Sequence, residues 1–251
     1  MALSENKADL PRFLSEQLIT RAPESKEIVT AGGFRDELEV CFSTPTTPIL
    51  CLNATHKEAD TRLALHAMNV TDDAVVISTR DTDVLIILVS HFHRMHCKEL
   101  WMKVGTSKKQ KYIPIHNVTC NLSTSCFQAL IPFHALTGCD TTSYISGHTK
   151  ASAWKVFKEH HALLQNLGED HCDEESIKNA EKFICYLYNA SNASSVNEAQ
   201  HLLFFKKGKR ETLPPTSDAL HHHIKRAHYQ SIVWKKAHNP IQELPSPSDW
   251  G

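Results

Sequence analysis

The chain has 251 residues, 41% of them hydrophobic and 22% charged, with a formal net charge of −1. A chain of this length can bury one sizeable core, and its near-neutral charge excludes a global attraction to nucleic acid. No apolar run reaches the roughly 20 residues of a membrane span. The polar start MALSENKADLPRF lacks a signal-peptide core, so an intracellular chain is expected, nuclear or cytoplasmic and without a membrane partner.

In chain order, residues 6–20 predict a helix, with Leu10, Phe13, Leu14 and Leu18 on one stripe. Short strands are predicted over 27–31 and 38–43 around Gly32-Gly33, then a TPTTP loop over 44–48 and a further short strand over 49–53. Residues 56–69 predict a helix, with Ala59, Leu63 and Ala67 along one face. The run AVVIS at 74–78 has no polar alternation, so 75–78 is expected as a central strand buried on both faces. Residues 83–93 are long enough for a helix packed on that sheet, with a strand as the alternative. A strand pair follows over 99–104 and 110–115, then helices over 124–137, despite Pro132, and over 149–160. Beyond residue 161 the pattern is helical, best over 174–189 and 216–238, with Thr216 or Ser217 as N-cap after Pro214-Pro215. The tail is Pro-rich. The eight cysteines are irregularly spaced without a CxxC, as free thiols are. The fold class is therefore α/β, with a core over 1–160 and a helical, basic extension over 161–251.

Three acidic clusters sit at changes of element. They are Glu58 and Asp60 in HKEADTRLALHAM, Asp81 and Asp83 directly after AVVIS, and Asp140 in HALTGCDTTSYISG. Carboxylates at strand ends and helix starts gather at one edge of a parallel sheet. Left unpaired, two charges about 4 Å apart repel by about 4 kcal/mol at an effective dielectric near 20. A hard divalent cation, Mg²⁺ or Mn²⁺, removes that penalty. Each carboxylate also has a structural alternative. Asp60 can act on a helix dipole, Glu58 can pair with Arg62 at i+4, and Asp81 or Asp83 can cap the next helix.

Basic residues concentrate later, at Lys206, Lys207, Lys209, Arg210, Lys225, Arg226, Lys235 and Lys236. Beside an acidic centre they suit a phosphate backbone, although a solvated helical surface reads the same way. His91, His93, His96 and Cys97 match no common zinc spacing. Trp154, Tyr229 and Trp234 lie near basic residues and could stack on bases, but their helical spacing favours a core role.

Taken in order, Glu58-Ala59-Asp60, Asp81-Thr82-Asp83 and Gly138-Cys139-Asp140 resemble the flap-endonuclease branch of the PIN-like nuclease superfamily. The segment Ile145–Ala151 resembles a degenerate form of that family's Gly-containing turn. The strings EADTR, STRDTDVLIIL, FHALTGCDTTS and HIKRAHYQ are similar to a group of animal proteins with this core. The resemblance implies a parallel-sheet, Rossmann-like core with helices on both faces and metal-assisted phosphodiester hydrolysis of DNA or RNA. It implies Asp81, Asp83 and Asp140 as catalytic metal ligands, with Glu58 and Asp60 completing the shell around two Mg²⁺ or Mn²⁺ ions about 3.5–4 Å apart. Lys150 and the C-terminal basic residues would hold phosphates. One departure stands out. The superfamily carries a further Asp on a strand well upstream of the E-A-D helix, and here neither Asp9 nor Asp36 follows a clear apolar strand. A truncated member with weakened activity, or a non-catalytic nucleic-acid-binding or protein-interaction module, is the expectation that follows.

Overall fold

The computed structural model describes residues 4–44, 50–207 and 212–246. Helix α1 (Ser4–Thr20) leads into an antiparallel pair, β1 (Val29–Ala31) and β2 (Val40–Phe42). The span expected as a strand over 49–53 contains instead a 3-10 turn at Leu50–Leu52; residue 49 and most of the TPTTP loop lie outside the described residues. Helix α2 (Ala59–Met68) then precedes a βαβ unit of β3 (Ala74–Ser78), α3 (Thr82–His91) and β4 (Glu99–Thr106). Strands β3 and β4 pair in parallel from Ala74↔Glu99 to Ser78↔Lys103. A parallel pair needs such a crossover, and α3 supplies it.

Strand β5 (Lys109–Pro114) returns antiparallel to β4. Gly105 permits the tight hairpin: its φ is +98°, and a Cβ there would lie 2.1 Å from the Lys109 carbonyl oxygen. The sheet order is β3-β4-β5, which leaves β3 at an edge among the described residues. This corrects the expectation of a central strand buried on both faces. Val75 is buried and Ile77 half-buried, while Val76 is 54% exposed. Apolar composition here marks a one-sided strand, and at β3 helices cover one face of the sheet, not two. The fold is mixed α/β, with one parallel and one antiparallel pairing in its larger sheet.

The remaining elements are helical: α4 (Ile115–Cys120), α5 (Thr124–Leu136), α6 (Lys150–His160), α7 (Glu174–Leu187), α8 (Val196–Lys207) and α9 (Ser217–Lys235). The sequence pattern does not single out α4 or α8. Ala129 through Leu136 of α5 are all buried, as in a helix enclosed on every side. Helix α9 packs on α5 and α3, and α7 packs on α9 and α6. One apolar cluster joins Leu88, Leu100 and Leu136 to Phe183, Ile224 and Trp234, so residues beyond 161 share the core of those before it. In contrast, the predicted stripe of α1 faces solvent, with Phe13 55% and Leu18 53% exposed. No helix among the described residues is long and apolar enough to cross a membrane.

Candidate metal centre

The acidic centre forms where α2, α3 and α5 begin or end. Glu58 is the N-cap of α2, in extended conformation and making no side-chain cap bond. Asp60 stands in the first turn of the same helix. Asp81 is the N-cap of α3, its carboxylate accepting from the Asp83 backbone N–H at 2.8 Å. The capping alternative thus holds for Asp81 and leaves its second oxygen free of that bond. Asp83 lies inside the first turn of α3, not in the extended segment after β3. Asp140 follows the end of α5 across Gly138, whose φ is +108°. A Cβ on Gly138 would sit 2.6 Å from the Tyr144 Cα, so the chain can fold back here only with glycine.

Carboxylate oxygens of Asp60, Asp81 and Asp83 lie within 4.8 Å of one another. Asp140 and Glu58 stand farther out, close enough to act on Asp60. Burial, then the negative charges of Asp81, Asp83, Glu58 and Asp140 in that order, push Asp60 up to about 6. The helix-dipole effect expected at this position would lower it, so burial and repulsion dominate. Three of the five sequence-selected carboxylates therefore come together, and Glu58 and Asp140 lie near enough for their charge to act on Asp60. Among the described residues, no Lys or Arg forms an ion pair with any of them.

Neutral groups anchor two of the five. Asp83, 5% exposed, bonds His134 Nε2 at 2.8 Å. Burial holds His134 below its usual range against the upward pull of its Asp83 hydrogen bond, and the positive charge of Lys150 adds to the lowering. A neutral imidazole with its proton on Nε2 satisfies the contact as a donor. Glu58 accepts from Gln230 Nε2 at 2.9 and 3.2 Å and from Trp234 Nε1 at 3.0 Å. The proposed Glu58–Arg62 pair does not form: Arg62 donates to the Ala54 and Glu37 carbonyls. His134 and Gln230 escaped sequence reading as site residues, and Trp234, weighed there as a base-stacking or core residue, is buried and bonds Glu58. The i, i+4 spacing of Gln230 and Trp234 puts them on one helix face, but nothing local says that the face meets Glu58.

The basic residues are placed unevenly. Lys150 points inward, donating to the His134 carbonyl and to Thr137 Oγ1 at 2.9 Å. Burial lowers it to about 8, so it serves the end of α5 beside Asp83. Lys225 is half-buried and Arg226 exposed on α9. Lys206 and Lys207 end α8, while Lys209 and Arg210 lie outside the described residues. Asp9 pairs with Arg12, and Asp36 caps the Leu38 N–H. Neither is among the charges acting on Asp60. No family model, curated protein or solved structure matches this chain.

Proposed function

We propose that this chain has a PIN-like core whose acidic centre binds Mg²⁺ or Mn²⁺ and hydrolyses phosphodiester bonds of DNA or RNA. The observation that carries the reading is the gathering of Asp60, Asp81 and Asp83 from two separate helix starts, with Glu58 and Asp140 acting on Asp60 and, among the described residues, no Lys or Arg in an ion pair with any of them. An all-oxygen donor set suits a hard divalent cation. Asp60, Asp81 and Asp83 would hold it, with Glu58 and Asp140 completing the site. When bound, the cation supplies an activated water and neutralises developing charge on the phosphate. His134 fixes the Asp83 carboxylate, and Asp140 is exposed to solvent.

Labelled single- and double-stranded DNA and RNA, incubated with the full chain and Mn²⁺, test this reading. Cleavage that disappears in Asp81→Asn with Asp83→Asn supports it. Cleavage that persists in that variant removes the centre from the chemistry.

A second reading is a non-catalytic nucleic-acid-binding or protein-interaction module. What favours it is the placement of Asp9 and Asp36 in local contacts of their own, so that no upstream Asp reinforces the site. Metal uptake and salt-sensitive nucleic-acid binding without cleavage would select this reading.

A further inference from the structure

We propose that helix α9 supplies the outer shell of the metal centre, with Gln230 and Trp234 as positioning residues that hold Glu58 beside the aspartates. This rests on the metal-binding reading above and assigns a role to residues that the carboxylate motifs do not include.

Gln230 is 4% exposed, and both ends of its amide are used. Its Nε2 donates to the two oxygens of Glu58 at 2.9 and 3.2 Å. Its Oε1 accepts from Thr141 Oγ1 at 2.8 Å. One buried amide thus ties the start of α2 to the residue next to Asp140. Trp234, one turn later, adds the 3.0 Å bond to Glu58 Oε2 and sets its ring beside His134, with centroids 5.8 Å apart and planes tilted by 39°. The same helix therefore braces both anchored acids, Glu58 directly and Asp83 by packing against its imidazole partner.

The chemistry of the donors separates positioning from mere structure. Glu58 is half-buried, and a Lys or Arg partner there would cancel its charge. Amide and indole N–H groups fix its direction and leave its full negative charge for a cation. Groups that hydrogen-bond ligating carboxylates typically change metal affinity 10- to 100-fold when removed.

Mn²⁺ binding to the full chain, read from the EPR signal of free Mn²⁺, tests the proposal. Gln230→Met keeps the length and removes the amide; it should weaken binding about 10- to 100-fold. In a Glu58→Gln background the same change should have no further effect, because its action passes through Glu58. Thr141→Val, at an exposed position, should weaken binding by a smaller factor in the same direction, with an unchanged denaturation midpoint as its folding control. Unchanged affinity in Gln230→Met and Thr141→Val, or losses that add fully in the double variant, would overturn the positioning role while leaving the metal site standing. A wild-type chain that takes up no Mn²⁺ would overturn the metal reading and this inference with it.

Discussion

Strand β3 and helix α9 exchange the places that their sequences suggest. AVVIS opens with four consecutive apolar residues, yet β3 lies at a sheet edge among the described residues with Val76 54% exposed. Helix α9 carries three adjacent histidines and several basic residues, yet Ile224, Ala227 and Trp234 are almost fully buried against α5 and α3. The difference lies in what each element meets. A strand is buried on both faces only if two layers reach it. A polar helix can enter a core when its polar groups find partners, as His223 does at the Leu136 carbonyl and Gln230 does at Glu58.

The comparison breaks most sharply at Trp234. Trp234→Ala should destabilise the chain by about 3–5 kcal/mol, as large-to-small changes in a core do. A chemical-denaturation midpoint within error of wild type would return α9 to the periphery.

Acidification probes the same buried layer. Burial holds His91 and His228 at about 4, with exposures of 3% and 0%. Their folded values lie below the unfolded value near 6.5, so the stability tied to their neutral forms is present above pH 6.5 and lost as pH falls toward 4. Between pH 7 and pH 5.5 the two together should cost about 2 kcal/mol, on a scale of about 1.4 kcal/mol per pH unit per group. Asp60 works in the opposite sense. Its folded value is raised to about 6, so its penalty is fully present above that and relieved as pH falls. A His91→Gln, His228→Gln variant should show a flatter pH–stability curve. An unchanged slope would remove these histidines as its cause.

Without added metal at pH 7, Asp60→Asn should raise stability by about 1–2 kcal/mol, less than its shift alone would give because the group is only partly buried. Added Mn²⁺ should reverse the ranking by stabilising wild type alone. A destabilised Asp60→Asn chain without metal would mean that the repulsion is illusory. Smallest of all, Val76→Asp should change stability by no more than about 0.5 kcal/mol, the range of exposed surface positions. A collapse on this substitution would put β3 back in the centre of the sheet.

The elements most legible in the sequence were those whose signals are local. Ser217–Lys235 follows a Thr216 cap whose side chain accepts the Ala219 N–H, and Glu99–Thr106 with Lys109–Pro114 turn on a glycine. The carboxylates were legible because each marks an element boundary. What could not be read depends on contacts between distant segments. Glu58 meets Gln230 across 172 residues and Trp234 across 176. Lys150 looks like a surface cation in the sequence, and only the fold reveals the end of α5 beneath it. The exposed stripe of α1 makes the same point, since periodicity specifies a helix face but not what covers it.

The central claim is that Asp60, Asp81 and Asp83 share a cation. Anomalous diffraction from crystals of the full chain soaked in Mn²⁺ tests it most directly. The account predicts a peak within coordination distance of all three carboxylates, lost in Asp81→Asn with Asp83→Asn. Well-ordered carboxylates with no peak between them, or a peak only at surface acids elsewhere, would contradict it.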